Sequence, residues 1–406
     1  MNEAGIVGAG TMGTGIALAI AGAGLSAHVV DSSPEALARG RAAIEATYRS
    51  SVERGKLSRD EADARRARIA FSGDVSAFSG VELVIEAAFE DLTVKRSVFE
   101  KLGNVVRANA LLATNTSSLD IDAVTGGVPH PERALGMHFF SPANVMKLIE
   151  IVRGAHTSDD TIRASLAFAE RLGKVGVVVG NCDGFVGNRM LLRYRREAEL
   201  LLERGATPAQ VDAALERFGF AMGPFAVSDL AGLDIAYNSK RERNARGNGV
   251  RFRQSLIPDL LVESGRLGQK TGGGYYRYEP GRRERLSAAA TDELIAAERR
   301  RLGLVPATIP DEEVVERCTL ALINEGARIL AEGIARRPAD IDAVWRYGYG
   351  FPAARGGPMA YAASLDRGEL LSRLRVFEQS DPAFWNAAVV ERALEKEYPP
   401  SAAGSR

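Results

Sequence analysis

A glycine-rich loop near the N-terminus is the first segment of the sequence that could do chemistry, and it reads Gly8-Ala9-Gly10-Thr11-Met12-Gly13. It follows a short apolar run and opens an alanine-rich stretch that predicts a helix. In such a loop the first glycine permits a tight turn, the second admits a pyrophosphate, and the third lets the helix pack on the strand. The next apolar run ends in Asp31, whose carboxylate would accept hydrogen bonds from a ribose diol and repel a 2′-phosphate. The pattern therefore predicts a binding site for NAD rather than NADP.

A candidate acid–base pair lies further along the chain. Of the four histidines, His138 is the one that falls between strand residues and an aromatic-proline turn, and Glu150 lies on the next apolar run. A carboxylate on a neighbouring strand would bind one ring nitrogen and stabilise the imidazolium, leaving the other nitrogen for proton transfer. A lone histidine is also often structural, so position alone leaves both interpretations open.

Two more polar segments follow predicted strands. Asn115-Thr116-Ser117-Ser118 comes after the fourth strand, and Asn188 lies where strands give way to helices. Asn188 could donate a hydrogen bond to a carbonyl group or simply cap a helix. The sequence holds two cysteines and no Cys/His cluster with metal-ligand spacing, so we expect no metal.

These side chains need a scaffold that brings strand ends together. Strands and helices alternate over the first 180 residues, which predicts an α/β, Rossmann-like, doubly wound parallel sheet over residues 1–182. Ligands of such sheets lie beyond the carboxyl ends of the strands. We expect residues 35–70 to form two antiparallel helices, a hairpin that projects from the domain. The predicted strands are residues 4–7, 27–31, 83–87, 111–114, 134–139, 148–152 and 175–179.

The rest of the chain predicts helices in two similar copies. Pro208-Ala209-Gln210-Val211-Asp212-Ala213 recurs as Pro338-Ala339-Asp340-Ile341-Asp342-Ala343, and each copy leads into a segment rich in glycine, aromatic residues and proline. A single copy would expose an apolar face, so we expect the two to pack on each other across a pseudo-twofold axis. The predicted domains are a duplicated all-α region with copies at 183–285 and 310–400, a linker at 286–309 and a tail at 401–406.

Composition narrows the class of protein. The 406 residues are 46% hydrophobic and 26% charged, and 52 basic residues balance 52 acidic ones, which disfavours nucleic-acid binding. No apolar run approaches the ~20 residues that span a bilayer, so we expect no membrane insertion. The low cysteine content and the absence of a signal peptide before Gly5 predict a cytoplasmic location.

Taken together, these residues resemble the L-3-hydroxyacyl-CoA dehydrogenase family. The doubled helical part resembles the dehydrogenase portion of multifunctional β-oxidation enzymes, without their hydratase domain. Motif order and spacing fit from Gly5 to about residue 395. Besides the motifs above, the resemblance rests on Gly136-Met137-His138-Phe139-Phe140-Ser141-Pro142, Asp183-Gly184-Phe185, Met222-Gly223-Pro224, Asp229-Leu230-Ala231-Gly232, Gly268-Gln269-Lys270-Thr271-Gly272, Gly350-Phe351-Pro352 and Arg355-Gly356-Gly357-Pro358.

The resemblance implies NAD-dependent oxidation of (S)-3-hydroxyacyl-CoA to 3-oxoacyl-CoA, in fatty-acid β-oxidation or a related pathway. It implies four catalytic residues: His138 is the base and Glu150 its partner, Ser117 contacts the substrate oxygen or the cofactor, and Asn188 lies beside the thioester. The cofactor-binding positions it implies are Gly8, Gly10, Thr11, Met12, Gly13, Asp31, Glu90, Lys95, Ser117 and Ser141.

Three positions carry further implications of the resemblance. Tyr347 falls near a substrate-contacting tyrosine of the multifunctional enzymes. Ser141 stands where many members have asparagine, which leaves the role of that position open. Gly187 replaces a bulkier apolar residue common in relatives, so we expect a more open pocket there.

Alternatives remain open at this point. A dehydrogenase of a free hydroxy acid or sugar acid would need a basic residue aimed at a carboxylate, and a non-catalytic protein on the same fold would show no turnover. Arg39, Arg49, Arg54 and Lys56 on the hairpin form a candidate surface for coenzyme A phosphates, or only a solvated face. For partners we expect an acyl-CoA substrate, a monomer or homodimer, and a hydratase or thiolase as a partner enzyme.

Overall fold

The chain divides into two compact units. The computed structural model describes residues 1–282 and 284–398, and the predicted tail at 401–406 lies outside them. Unit 1 consists of Met1–Asn188, Gly333–Arg336 and Tyr347–Tyr349, and unit 2 holds the other described residues. None of the described helices is both long and apolar enough to cross a membrane.

Unit 1 is built on a sheet that has eight strands within the described residues, in the order β3-β2-β1-β4-β5-β6-β7-β8. The pairs from β3 to β6 are parallel, β7 runs antiparallel to β6, and β8 is parallel to β7. The α/β, Rossmann-like class is confirmed, with two corrections: the sheet is mixed, and β3 was not predicted. The strands are β1 Glu3–Val7, β2 Ser26–Val30, β3 Ile69–Ser72, β4 Leu83–Glu86, β5 Leu111–Thr114, β6 Ala134–Phe139, β7 Leu148–Arg153 and β8 Val175–Gly180.

The helices of unit 1 include the predicted hairpin, formed by α2 and α3. It does not project from the domain, because Ile44, Tyr48 and Ala62 are buried in the same apolar core as α1. Its end also differs from the prediction, since residues 69–70 belong to β3. The bounds are α1 Thr11–Gly22, α2 Pro34–Glu53, α3 Arg59–Arg66, α4 Leu92–Gly103, α5 Ile121–Thr125 and α6 Asp159–Arg171, with short 3₁₀ turns at Val75–Phe78 and Pro131–Arg133.

Unit 2 is helical. Its elements are α7 Gly187–Arg204, which begins in unit 1, α8 Pro208–Phe218, α9 Pro224–Ala231, α10 Leu233–Ala245, α11 Ile257–Glu263, α12 Ala289–Arg301, α13 Asp311–Ala331, α14 Pro338–Gly348, which ends in unit 1, α15 Pro358–Ser364, α16 Arg367–Ser380 and α17 Ala387–Glu397, with 3₁₀ turns at Gln269–Thr271 and Ala353–Arg355. Within the predicted linker at 286–309, residues 289–301 form α12, which buries Thr291 and Ile295 one helical turn apart.

The two helical copies share one structural device. Asp212 on α8 accepts hydrogen bonds from the backbone N–H groups of Phe225 and Ala226, at 3.0 and 2.9 Å, where α9 begins. Asp342 on α14 accepts one from the Met359 N–H at 2.7 Å, where α15 begins. In both copies, an aspartate at the same position of the repeat caps the helix that follows, as expected of a duplication.

The two copies also pack on each other inside unit 2. Helix α8 of the first copy contacts α13 of the second. Phe218 and Phe220 meet Phe351 edge to face, with ring centroids 6.1 and 5.4 Å apart. The apolar face of the first copy is therefore covered by the second, while the pseudo-twofold axis stays a prediction.

Candidate active site

The glycine-rich loop joins β1 to α1 and has room for a ligand at one point. Gly8 has a φ of +105°, and a Cβ there would lie 2.6 Å from the Ala87 carbonyl oxygen. A Cβ on Gly13 would lie 1.9 Å from the Gly8 carbonyl oxygen, so α1 packs directly on the loop. A Cβ on Gly10 would meet no described atom within 4 Å. The loop fits a pyrophosphate approaching at Gly10, where the first N–H groups of α1 favour an anion.

Asp31, directly after β2, lies beside this loop. Its Oδ2 accepts a hydrogen bond from the Ala9 N–H and its Oδ1 one from the Ser33 N–H, both at 2.9 Å. Two backbone donors thus hold the carboxylate in place, and it remains partly exposed to accept a ribose diol. Thr11 and Met12 are the first residues of α1; Thr11 is exposed and Met12 is half-buried.

A buried ion cluster follows β4. The Lys95 ammonium is 1% exposed and lies 2.8 Å from Glu86 Oε1 and 3.3 Å from Glu90 Oε2. Glu90 Oε1 in turn accepts hydrogen bonds from Thr116 Oγ1 at 2.6 Å and from the Ser117 N–H at 2.8 Å. Burial opposes ionisation of Glu90, but the Lys95 charge and these hydrogen bonds outweigh it and lower its pKa. The cluster fixes the loop that carries Ser117; direct cofactor contacts of Glu90 and Lys95 stay a prediction.

His138 and Glu150 face each other across β6 and β7. They are register partners in the antiparallel pair, and His138 Nδ1 lies 2.8 Å from Glu150 Oε2. The other oxygen, Oε1, accepts hydrogen bonds from the N–H groups of Gly187 at 2.9 Å and Val186 at 3.2 Å. Glu150 is fully buried and His138 is 7% exposed. One carboxylate therefore fixes the imidazole by Nδ1 and leaves Nε2 for proton transfer.

Aromatic rings enclose this pair. The rings of Phe140 and Phe185 have their centroids 4.5 and 5.8 Å from that of His138. Phe185 is fully buried. Such walls keep water from the imidazole and strengthen its interaction with Glu150.

The structure also brings Asn188 and Ser117 together, and adds a residue that sequence reasoning missed. Asn188 Nδ2 lies 3.5 Å from the Ser117 carbonyl oxygen. The Tyr349 hydroxyl donates to Asn188 Oδ1 at 2.8 Å. Tyr347, the tyrosine predicted from the sequence, is 36% exposed, and its contact with the substrate stays a prediction. The sequence signal for Tyr349 is its place in the glycine-aromatic segment of the second copy.

Two other sequence-predicted positions have different outcomes. A Cβ on Gly187 would lie 2.6 Å from the Tyr349 hydroxyl, so the expectation of a more open pocket there is wrong. The Tyr349 ring occupies the space that a side chain at Gly187 would need. Ser141 is exposed in the turn after β6, and its contact with the cofactor stays a prediction.

A separate cavity of about 460 Å³ lies between α1, the hairpin and α6. Its described lining carries Arg65, Arg171 and Lys174 and no carboxylate. The buried Tyr48 hydroxyl on its wall has no hydrogen-bond partner among the described residues. Burial lowers the pKa of Lys174 to about 8. The Lys174 ammonium donates to the carbonyl oxygens of Ala143 and Met146, at 2.7 and 2.5 Å, so the two arginines and the Tyr48 hydroxyl are the groups that suit an anionic ligand.

The hairpin surface predicted for coenzyme A does not line this cavity. Its four basic residues are exposed: Arg39, Arg49, Arg54 and Lys56.

Comparison with known proteins gives one consistent result. Residues 3–182 match the NAD binding domain of 3-hydroxyacyl-CoA dehydrogenase. Residues 184–278 and 314–406 both match the C-terminal domain of 3-hydroxyacyl-CoA dehydrogenase. The peroxisomal bifunctional enzyme of Danio rerio is 43% identical over 393 residues, which cover 94% of this chain and 54% of the relative. The chain thus spans about half the length of the curated relatives it matches.

Solved structures agree with these matches. The 3-hydroxybutyryl-CoA dehydrogenase of Escherichia coli is 29% identical with a TM-score of 0.84, over 97% of this chain and 98% of that one. The (S)-3-hydroxybutyryl-CoA dehydrogenase of Ralstonia eutropha is 35% identical with a TM-score of 0.64, over 69% of this chain and 99% of that one.

Proposed function

This chain belongs to the 3-hydroxyacyl-CoA dehydrogenase family, and we propose that it interconverts (S)-3-hydroxyacyl-CoA and 3-oxoacyl-CoA with NAD as the redox partner. The single observation that carries this function is the His138–Glu150 pair, 2.8 Å apart near the carboxyl end of β6. That edge of the sheet is also where the glycine-rich loop lies, since β1 and β6 point the same way. An acid–base group and a dinucleotide loop at one sheet edge are the parts that a hydroxyl-oxidising enzyme needs.

The residues of unit 1 fit NAD, and each has a distinct part. Gly10 and the start of α1 would hold the pyrophosphate, and Asp31 would accept the ribose diol. When bound, NAD⁺ supplies the acceptor for the hydride that leaves carbon 3. The ion cluster of Lys95 and Glu90 holds the Ser117 loop in place.

Proton transfer falls to His138. Its Nε2 takes the proton of the 3-hydroxyl group as the carbon–hydrogen bond breaks, and Glu150 stabilises the imidazolium that forms. General base catalysis of this kind is worth about 10²–10⁴-fold. Asn188 and Ser117 orient the substrate oxygens. In the reverse direction the imidazolium returns the same proton to the 3-oxo oxygen.

The basic cavity supports a coenzyme A thioester as the substrate. Coenzyme A carries phosphate groups, and Arg65 and Arg171 offer positive charge without a competing carboxylate in the described lining, while Lys174 donates to two backbone carbonyl oxygens. Arg65→Ala should raise the KM for the thioester roughly tenfold, the size of one hydrogen bond to a charged group. The matched variant Arg54→Ala tests the hairpin surface instead. An increase in KM with Arg54→Ala alone would move the phosphate site to the hairpin.

The deciding experiment compares a thioester with its free acid. Purified protein is mixed with NADH and either acetoacetyl-CoA or acetoacetate, and absorbance at 340 nm is followed. Consumption of NADH with the thioester and little with the acid supports the proposal. Equal rates would favour a dehydrogenase of free hydroxy acids, and no turnover with either, despite NADH binding, would favour a non-catalytic protein. A series of 3-oxoacyl-CoA chain lengths then defines the pocket.

The biological setting is part of the same proposal. The dehydrogenase would act in fatty-acid β-oxidation or a related acyl-CoA pathway, with a hydratase supplying its substrate or a thiolase consuming its product. A cytoplasmic location and a monomeric or homodimeric state are predictions from the sequence. Fractionation of cells and sedimentation of the purified chain test them.

A further inference from the structure

Tyr349 belongs to the second helical copy by sequence but lies in unit 1. Its hydroxyl is 2.8 Å from Asn188 Oδ1, across 161 residues of chain. Its ring meets Phe140 edge to face at 5.4 Å, and Phe140 in turn packs on His138. The tyrosine thus contacts both the amide of Asn188 and the aromatic wall of the acid–base pair.

This contact and the Ser117 carbonyl together hold the Asn188 amide. With Oδ1 toward Tyr349, the amide accepts from the hydroxyl, and Nδ2 faces the Ser117 carbonyl oxygen at 3.5 Å. Turning the amide over would set Oδ1 against that carbonyl, two acceptors facing each other. The Ser117 carbonyl therefore favours the orientation in which the donor side of the amide faces it, and the Tyr349 hydroxyl then donates to Oδ1.

The backbone near Tyr349 is shaped to admit it. A Cβ on Gly187 would lie 2.6 Å from its ring, and a Cβ on Gly348 would lie 2.6 Å from Leu148 on β7. Any other residue at either position would force atoms apart. Gly187 also donates its N–H to Glu150, so one residue both binds the carboxylate and clears space for the tyrosine.

The duplication supplies an internal comparison. When the copies are aligned with a gap at Glu216, Tyr349 corresponds to Phe220. Phe220 is buried and packs on Tyr194 and Phe351, at 5.6 and 5.4 Å between ring centroids. In the first copy, a phenylalanine ring fills this position, so the packing there does not require a hydroxyl group. The hydroxyl occurs in the copy whose ring reaches Asn188.

We propose that Tyr349 is a positioning residue: its hydroxyl donates to Oδ1 and holds the Asn188 amide in the orientation that the Ser117 carbonyl favours, so that Nδ2 donates toward the substrate oxygen beside Ser117. The second helical copy then contributes to the reaction as well as to packing. This inference rests on the proposed function. Burial and the charge of Glu150 raise the pKa of Tyr349 well above its usual value, so the hydroxyl stays a donor at working pH.

The test is a double-mutant cycle of Tyr349→Phe and Asn188→Ala, with acetoacetyl-CoA and NADH as probes. Tyr349→Phe keeps the ring against Gly187 and Phe140 and removes the hydroxyl alone. We expect kcat/KM for acetoacetyl-CoA to fall about five- to tenfold, the size of one hydrogen bond. The Kd of NADH and the Tm should stay unchanged. In the Asn188→Ala background, Tyr349→Phe should have no further effect.

The matched control is Tyr361→Phe, another tyrosine of the second copy, which packs on Phe218 in unit 2. It should leave kcat/KM unchanged. Wild-type kinetics for Tyr349→Phe would overturn the inference, as would a loss that multiplies with that of Asn188→Ala. If Tyr349→Phe lowers the Tm, the Kd of acetoacetyl-CoA is measured instead of turnover. The measurement uses the same double-mutant cycle, at a temperature where the wild type, both single variants and the double variant are folded. A wild-type chain without thioester turnover would instead refute the proposed function, and this inference with it.

Discussion

Replacing Glu150 by glutamine keeps the shape of the buried side chain but changes what it can offer His138. In the unmodified protein, Glu150 Oε1 accepts hydrogen bonds from the N–H groups of Val186 and Gly187, at 3.2 and 2.9 Å. In the variant, either the carbonyl oxygen or the NH₂ group of the glutamine must face these two donors. Pointing the amide there would leave two buried donors unsatisfied, at about 1–3 kcal/mol each. The carbonyl therefore takes that place, and the amide N–H₂ faces His138 Nδ1.

This orientation reverses the imidazole tautomer. Nδ1 must now accept a hydrogen bond, so the proton of the neutral ring moves to Nε2, the nitrogen that has to act as the base. The imidazolium also loses its buried counter-charge. We expect kcat/KM to fall by about 10²–10⁴-fold, the worth of general base catalysis. That is about 3–5 kcal/mol of barrier.

The assay is NADH-linked reduction of acetoacetyl-CoA by Glu150→Gln, His138→Gln and the double variant. Because the two residues act as one unit, the double variant should be no slower than His138→Gln alone. Asp212→Asn is the control, since it also neutralises a buried carboxylate that accepts two backbone N–H bonds, but in unit 2. Unchanged kcat/KM in Glu150→Gln, or losses that multiply, would refute the tautomer argument. A parallel loss of NADH binding would mark the pair as structural.

Asp31→Ala should narrow the preference for NADH over NADPH, because the carboxylate that repels a 2′-phosphate is gone; equal kcat/KM for the two cofactors in the unmodified protein would contradict this. Burial raises the pKa of Asp342 to about 6 from 3.8, so its contribution to stability is complete below pH 3.8 and is lost as the pH rises through about 6. In urea unfolding, the free energy of unfolding of Asp342→Asn, relative to that of the unmodified protein, should therefore rise by up to about 3 kcal/mol from pH 4 to pH 7. A difference in unfolding free energy that stays constant with pH would argue against the raised pKa of Asp342. Deleting residues 305–406 removes Phe351 from its contacts with Phe218 and Phe220, and should give an aggregating or newly dimeric product in sedimentation; a monomeric, fully active product would show that the second copy is not structural cover.

Strand positions were predictable because each predicted strand is an apolar run bounded by turn residues. Their direction was not, since alternation of β and α favours parallel pairing throughout, and β7 instead runs antiparallel to β6. Strand β3 was missed because its four residues directly follow a charged helix. Helix α12 was missed because the polar residues at 278–287 suggested a linker for the whole segment that follows, and the buried face of the helix is limited to Thr291, Ile295 and Glu298.

The site shows the same division between local and distant contacts. His138 and Glu150 could be paired from the sequence because they lie 12 residues apart on neighbouring strands. Tyr349 could not be found that way, since its contact with Asn188 spans 161 residues and depends on how α14 ends. Gly187 was misjudged because a missing side chain does not reveal which atoms take its place.

The reversal of β7 has a consequence for the order in which the protein folds. The turn from Phe139 to Leu148 is short, so bringing β6 and β7 together costs little loop entropy, and the imidazole and its carboxylate meet as neighbours in one hairpin. A parallel neighbour would have required a crossover of a dozen or more residues. The acid–base pair is therefore a local contact of low sequence separation, available before the distant segment with Tyr349 arrives. In pulsed hydrogen exchange, amides of the β6–β7 hairpin should gain protection ahead of those around Asn188.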